Sequence, residues 1–224
     1  MTVAETHIPM AMVVGANHRS SSMSIRDRLF VEDDQVPGVL EKLRAAGIGE
    51  AMVLSTCDRV EILAVHDDPE DAAKRIITIF AEHAELKAED LDGQTYTLTG
   101  DEAVRQIFRV AASLDSLVVG EPQVLGQVKS CHRMAADAGM TGTGLEAILQ
   151  AAYTASKRAR NETKIGERPV SIAAASARLA QDLHGDLKNR YGLLIGTGEM
   201  GELVAAAMID EGLGDLCVVH TTTA

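Results

Sequence analysis

Short apolar runs alternate with amphipathic segments through the first half of the chain. The apolar runs predict strands, and apolar residues that recur every three to four positions predict helices. The predicted strands cover residues 10–14, 51–54 and 59–65, and the predicted helices cover 34–46 and 69–83. We expect Asp33 or Asp34 to cap the first of these helices and Gly47 to end it. Strands and helices mixed in this order predict an α+β sandwich.

The second half of the chain is predicted to be mostly helical up to a glycine-rich turn. Predicted helices begin at Asp101, at Pro122 (ending at Gly139), at residue 145 and at Pro169. Two apolar strands, 191–196 and 216–219, flank a last helix that ends near residue 211. We expect the domain boundary between Thr163 and Pro169, which divides the chain into domains 1–165 and 166–224.

Cys57 follows the apolar strand 51–54, where the chain enters a polar turn. If the backbone stays extended through Arg59, the two side chains share a face. The guanidinium could then stabilise the thiolate or hold an anionic substrate, and the pair would suit covalent acyl chemistry. A buried structural cysteine is the alternative, and the spacing alone does not decide between the two.

Charge and cysteine content limit the remaining functions. The net charge is −12 and the sequence pI is about 5.0, which argues against a protein that coats nucleic acid non-specifically. Cys57, Cys131 and Cys217 include no close pair, so neither a disulfide framework nor a metal site is predicted, and a reduced, cytoplasmic location is expected. Cys131 and Cys217 fall on apolar stripes and are interpreted as core. Neither a signal peptide nor a membrane span is predicted.

The run from Gly196 to Gly201 fits the fingerprint of a dinucleotide-binding turn, because it follows a predicted strand and opens a predicted helix. In that reading Gly196 makes the tight turn, Gly198 admits the pyrophosphate and Gly201 packs the helix on the strand. The cofactor-binding candidates are Gly196, Thr197, Gly198, Glu199, Met200 and Gly201. The alternative is a glycine-rich turn that binds nothing.

Three segments of the chain resemble the glutamyl-tRNA reductases. Residues 55–61, Ser-Thr-Cys-Asp-Arg-Val-Glu, resemble the family's Ser-Thr-Cys-Asn-Arg-x-Glu segment. The other two are Gly-Ala-Asn-His-Arg-Ser at 15–20 and the long segment 114–129, and the resemblance extends from residue 11 onward. It implies an α+β catalytic domain, a linking helix that begins with 145–161, and the first part of a Rossmann-like NADP-binding domain. The family's helical dimerisation domain, which makes the full-length protein a homodimer, is expected to be missing here.

The resemblance also implies a reaction and its site residues. Cys57 would attack glutamyl-tRNA to form a thioester, and NADPH would reduce the thioester to glutamate-1-semialdehyde for tetrapyrrole synthesis, with glutamate-1-semialdehyde aminomutase as a possible partner. Arg59 would bind the substrate's side-chain carboxylate. The implied substrate-binding residues are Thr56, Asp58, Arg59, Ser116, Glu121, Pro122, Gln123 and Gln127, and the alternative for those on the long segment is scaffolding.

Three departures from the family weaken this implication. Asp58 stands where the family has Asn, and its carboxylate would disfavour a thiolate if it points inward. Gln106 stands where the family has an assisting His and cannot shuttle a proton, which leaves His18 as the nearest substitute. His220 and Thr221 replace the usual Asn-Arg, so we expect this chain alone to bind NADPH poorly. A non-reducing binding or regulatory homologue, or an acyl-transfer or esterase activity, remains open.

A basic stretch stands out in this acidic chain. Its positions on the helix predicted from residue 145 favour a solvated face, and contact with the tRNA backbone is the alternative. The stretch consists of Lys157, Arg158, Arg160, Lys164 and Arg168.

Overall fold

The computed structural model describes residues 9–116, 119–121, 123–166, 172–196 and 198–220. The described part of the chain divides after Gly166 into two compact units. In the described part of the chain, no helix is long and apolar enough to cross a membrane.

The first unit is built around a sheet of four strands, which are β1 (Met10–Asn17), β2 (Glu50–Ser55), β3 (Arg59–His66) and β4 (Tyr96–Thr99). They pair antiparallel in the order β2-β3-β1-β4. The successive residues Met12, Val13 and Val14 of β1 are all fully buried. Because neighbours along a strand point to opposite faces, both faces of the sheet must be covered.

Helices provide that cover. They are α1 (Met23–Leu29), α2 (Val36–Ala45), α3 (Pro69–His83), α4 (Gly100–Ala111), α5 (Gln123–Asp137) and α6 (Thr143–Glu162). Helix α3 has the predicted bounds: the Asp68 side chain accepts a hydrogen bond from the Asp71 N–H, and Pro69 occupies the first turn. The predicted α+β class is confirmed.

Local signals misplaced two helix starts and missed two elements. Helix α2 follows Gln35, which makes no side-chain cap, so the predicted caps Asp33 and Asp34 are wrong. Helix α4 begins at Gly100 after Thr99, so Asp101 lies in its first turn and is not the cap. Acidic side chains are favourable in a first turn as well as at a cap, which is why Asp101 resembles a cap. Helix α1 and strand β4 were not predicted.

The start of helix α6 is capped by a residue from the sheet. The Glu50 carboxylate, on β2, accepts a hydrogen bond of 2.8 Å from the Leu145 N–H. A Cβ on Gly142 would lie 2.6 Å from the Glu50 Cγ, and a Cβ on Gly144 would lie 3.2 Å from its Oε2. The two glycines therefore make room for a carboxylate at the positive end of the helix.

The second unit contains α7 (Ile172–His184), β5 (Tyr191–Ile195), α8 (Glu199–Asp210) and β6 (Asp215–Val219). Strands β5 and β6 pair in parallel, and α8 connects them along the chain. Leu193, Ile195 and Val218 are exposed on them. Cys217 is also exposed, so its interpretation as a core residue is wrong, whereas Cys131 in the first unit is buried as predicted. The predicted helix start at Pro169 lies outside the described residues.

Candidate active site

Thr56, Cys57 and Asp58 connect β2 to β3 in a tight hairpin. Ser55 pairs with Val60, and the Thr56 N–H donates a 2.8 Å hydrogen bond to the Arg59 carbonyl, which closes the turn. The expectation that the backbone stays extended through Arg59 is therefore wrong. Cys57 is exposed at the tip, whereas Thr56 and Asp58 on either side are 8% and 7% exposed.

Beneath this turn the Arg59 guanidinium is enclosed by three carboxylates. The side chain is 1% exposed. Its Nε lies 3.3 Å from Asp58 Oδ1, and its Nη1 lies 3.2 Å from Glu61 Oε1 and 3.1 Å from Asp115 Oδ2. Its Nη2 donates to the Asp115 carbonyl. We call Arg59, Asp58, Glu61 and Asp115 the buried ion cluster. A substrate carboxylate would have to share the guanidinium with these partners.

Asp115 connects this cluster to the surface. Its second carboxylate oxygen, Oδ1, accepts from the partly exposed Arg19 and, at 3.1 Å, from Arg109. The Gln106 amide donates a 2.9 Å bond to Oδ2. Burial alone would raise the pKa of Asp115, but the hydrogen bonds from Gln106, Arg59 and Arg19 outweigh it and lower the pKa. Asp115 therefore stays ionised although it is buried.

The Glu61 oxygen that faces Arg59 also accepts hydrogen bonds from two neutral donors. The Tyr96 hydroxyl and the Gln106 amide both donate to Glu61 Oε1. Burial raises the pKa of Tyr96, and the Glu61 carboxylate raises it further, so the phenol stays protonated. A Cβ on Gly15, the residue opposite Glu61 on β1, would lie 2.7 Å from the Glu61 Cα. Gly15 therefore permits the close approach of the strand that carries Glu61.

The thiol of Cys57 is not activated by its surroundings. Desolvation of the thiol by the surrounding protein raises its pKa, and the carboxylates of Asp58 and Glu121 raise it further. These effects outweigh the smaller opposite effect of Arg59. Arg59 thus acts on the thiol in the expected direction but too weakly to produce a net activation, and Asp58 adopts the inward orientation that disfavours a thiolate.

His18 lies beside the same turn. Its backbone N–H donates a 3.0 Å hydrogen bond to the Asp58 carbonyl, and its ring nitrogen Nδ1 is 3.8 Å from Asp58 Oδ2. That nitrogen is buried and has no hydrogen-bond partner among the described residues. Burial lowers the pKa of His18 and outweighs the opposite effect of Asp58. The lowered pKa favours the neutral imidazole. A neutral imidazole can accept a proton near pH 7.

The segment 114–129 contributes a hydroxyl, a carboxyl and two amide side chains to the set of candidate site residues. Ser116 is 5% exposed, and its hydroxyl has no hydrogen-bond partner within the described ranges. Burial raises the pKa of Glu121, and Asp58 raises it further. Gln123 and Gln127 are half-buried and lie one turn apart on α5, so they share a face. Pro122 lies outside the described residues.

The glycine turn in the second unit has the backbone that its sequence predicts. Gly196 has a φ of +96°, a conformation that favours glycine. Gly198 precedes α8 in an extended conformation as its N-cap. A Cβ on Gly201 would lie 3.3 Å from the Gly196 carbonyl oxygen, so a side chain there would crowd the turn. The turn can thus offer a helix N-terminus to an anion.

The other residues of that turn are less informative. Met200 is partly buried and His220 is exposed. Thr197, Thr221 and the side chain of Glu199 lie outside the described residues. Within the described ranges no group of three or more His, Cys, Asp or Glu side chains is arranged to hold a metal ion.

The basic stretch is divided between two roles. Arg158 pairs with Glu162 one turn further along α6, at 3.1 Å, and both are exposed, which is the predicted solvated face. Arg160 instead turns toward the segment that carries Ser116 and Glu121. Lys157 and Lys164 are exposed, and Arg168 lies outside the described residues.

Sequence reasoning missed most of the side chains that hold this site together. Four of them lie in the segments that resemble the family, but their burial and pairing could not be inferred there, because most of their partners lie far along the chain. The missed residues are Asn17, Arg19, Glu61, Tyr96, Arg109 and Asp115.

Comparison with known proteins gives a consistent result. Residues 14–163 match the family model described as "Glutamyl-tRNAGlu reductase, N-terminal domain". The chain is 45% identical over 207 residues to the glutamyl-tRNA reductase of Rhodospirillum rubrum, covering 92% of this chain and 48% of that protein. It is 41% identical over 212 residues to that of Magnetococcus marinus, covering 94% of this chain and 50% of that protein.

A solved structure supports the same relationship. The glutamyl-tRNA reductase from Methanopyrus kandleri is similar with a TM-score of 0.62 and 31% identity, over 95% of this chain and 49% of that one. The chain spans about half the length of the relatives it matches. The family match covers the β2–β3 hairpin, the buried ion cluster and helix α6, and the chain therefore belongs to the glutamyl-tRNA reductase family through its N-terminal domain.

Proposed function

We propose that this chain carries the catalytic part of an NADPH-dependent glutamyl-tRNA reductase, an enzyme of tetrapyrrole synthesis. The observation that carries the proposal is the exposed Cys57 thiol at the tip of a hairpin whose neighbouring residues are buried and anchored. A nucleophile needs access on one side and fixed neighbours on the other. The family relationship supplies the substrate class, glutamyl-tRNA.

The residues support a first half-reaction at Cys57. The thiol sulfur would attack the carbonyl carbon of the aminoacyl ester. The bond from that carbon to the tRNA ribose oxygen breaks, a thioester forms, and free tRNA leaves with the thiol proton. Because the thiol pKa is raised, the proton needs an acceptor, and the neutral His18, which contacts Asp58 in the same turn, is a candidate.

Substrate contacts are proposed for the groups around the turn. The unpartnered, buried Ser116 hydroxyl supports a polar contact there, since a buried hydroxyl normally has a partner. Thr56, Gln123 and Gln127 offer further donors. Arg59 would bind a substrate carboxylate only together with the buried ion cluster.

We infer further that 1–165 forms the catalytic domain, joined by α6 to the start of a Rossmann-like domain in 166–224. The division of the chain after Gly166 and the parallel β5-α8-β6 unit support this inference. Gly196, Gly198 and the start of α8 fit the pyrophosphate of a dinucleotide. NADPH would supply there the hydride that converts the thioester to glutamate-1-semialdehyde. The homodimer, the aminomutase partner and the cytoplasmic location remain predictions.

Intact-mass measurement tests the first half-reaction. We expect the chain mixed with glutamyl-tRNA to gain one glutamyl group, and the Cys57→Ser variant to gain none. The matched control is Cys217→Ser, which removes the other exposed thiol and should leave the adduct intact. An adduct that persists in Cys57→Ser would refute the role of Cys57. An adduct that NADPH never consumes would indicate acyl transfer without reduction, and fluorescence titration with NADPH would measure cofactor binding directly.

A further inference from the structure

Arg160, on helix α6, holds the two ends of the segment that follows helix α4. Its Nη2 donates to the Ser113 hydroxyl at 3.0 Å and to the Glu121 carbonyl at 2.9 Å. Its Nη1 lies 3.4 Å from the Gly120 carbonyl oxygen. One guanidinium thus contacts both ends of residues 113–121, of which 117 and 118 lie outside the described residues.

The groups that Arg160 contacts are themselves tied together. The Ser113 hydroxyl donates a 2.8 Å bond to the Glu121 carbonyl, and the Gly120 N–H donates a 2.8 Å bond to the Ser113 carbonyl. Ser113 is fully buried and has a φ of +57°, an unusual conformation for a residue other than glycine. Strained backbone of this kind persists only where the surroundings fix it.

The segment leads directly into the Cys57 turn. Asp115, two residues after Ser113, binds Arg59 through both its carboxylate and its carbonyl. Glu121, at the other end, lies near enough to affect the Cys57 thiol. A shift of either end would therefore disturb the side chains on which the turn is built.

We propose that Arg160 is a positioning residue for the thioester-forming step. Its hydrogen bonds to the Ser113 hydroxyl and the Glu121 carbonyl, which we call the clasp, hold Asp115, Ser116 and Glu121 in place beside the Cys57 turn. The proposal rests on the proposed function of Cys57. It assigns to one member of the basic stretch a role in the site, although sequence alone favours a solvated face. Arg160 itself touches neither the substrate nor the thiol.

The test compares Arg160→Gln with Arg158→Gln, a matched control on the same helix whose side chain is exposed. Loss of the clasp is expected to slow glutamyl adduct formation by about ten- to a hundredfold, since a displacement of about 1 Å in a reacting site can have an effect of this size. Arg160→Lys offers a single donor group and should give an intermediate rate.

A second readout separates positioning from general loss of structure. The rate of Cys57 alkylation by iodoacetamide, measured by peptide-resolved mass spectrometry against pH, reports the ionisation of the thiol. If the clasp is lost, Glu121 moves away from Cys57, and the alkylation midpoint should move to lower pH. A more readily ionised thiol that forms the adduct more slowly is the signature expected of mispositioning.

Each outcome decides the proposal. Wild-type adduct rate and alkylation profile in Arg160→Gln, equal to those of Arg158→Gln, would overturn it. If Arg160→Gln fails to fold, Ser113→Gly replaces it, because glycine relieves the positive φ while removing the hydroxyl of the clasp; an unchanged profile there overturns the proposal. If the wild-type chain forms no adduct at all, the proposed function fails, and the alkylation profile still tests whether Arg160 positions the segment.

Discussion

Replacing Arg59 by Lys should destabilise the first unit, contrary to the sequence-based expectation that Arg59 mainly captures substrate. Every nitrogen of the guanidinium has an acceptor: Nε and Nη2 face Asp58, and Nη1 faces Glu61 and Asp115. An ammonium group is a single point of charge and cannot reproduce the planar fork. It can stay with Glu61 and Asp115 or with Asp58, but not with both sides.

The size of the effect follows from the bonds that are lost. A hydrogen bond to a charged group contributes about 1.5–3 kcal/mol, and a buried carboxylate left without its partner adds a desolvation penalty, so we expect a loss of about 3 kcal/mol. For a protein of this size, each kcal/mol corresponds to a fall in Tm of about 2–4 °C, which gives a fall of roughly 6–12 °C.

Thermal unfolding followed by circular dichroism measures this change. Arg158→Lys is the control, because its ion pair with Glu162 is exposed to solvent and should contribute little to stability. The difference between Arg59→Lys and wild type should shrink in acid. The pKa of Asp115 is lowered in the folded state, so its stabilisation is present above its unfolded pKa and is lost as the pH falls through the folded value.

A Tm for Arg59→Lys equal to that of Arg158→Lys would refute the reasoning. It would mean that the buried ion cluster contributes little to stability. The guanidinium would then be free to bind a substrate carboxylate, as the family resemblance implies.

Two further predictions concern the neighbours of Arg59. Asp58→Asn removes a carboxylate that raises the pKa of the Cys57 thiol, so iodoacetamide should alkylate Cys57 several-fold faster at pH 7.5, although Tm falls; an unchanged rate would show that Asp58 does not control the thiol. Gly15→Ala should destabilise the sheet by about 1–3 kcal/mol, because its methyl group would lie 2.7 Å from the Glu61 Cα, and a urea midpoint equal to that of Gly49→Ala, where the added Cβ meets open space, would contradict this.

The elements that sequence predicted well are those with local causes. Helix α3 has its predicted bounds because its apolar residues recur at a helical period and Pro69 opens its first turn. Strands β1 and β2 are apolar runs that are buried on both faces of the sheet. Strand β3 begins with alternating charged and apolar residues, yet all of them are buried, because Arg59 and Glu61 pair with each other. Strand β4 has only four residues at the edge of the sheet, and helix α1 has seven, too few to establish a period.

The candidate site was predictable only in part. Cys57 could be recognised from its position after an apolar strand, yet the sign of its electrostatic environment could not. That sign depends on whether Asp58 points inward and on where Glu121 lies, 64 positions later by residue number. Likewise, the partner of Arg59 at Asp115 is 56 residues away, and pairing over such a distance leaves no periodicity to detect. The fold creates these contacts, so they become visible only with it.

The hairpin that carries Cys57 separates reactivity from folding. Its anchors are Thr56 and Asp58, and neither central residue of the turn has a positive φ, so the backbone at Cys57 makes no demand on residue type. A substitution at Cys57 therefore removes the proposed nucleophile while leaving the network beneath it intact. A single substitution at Cys57 would therefore leave a folded domain without its thiol, and such a domain could be retained for another function.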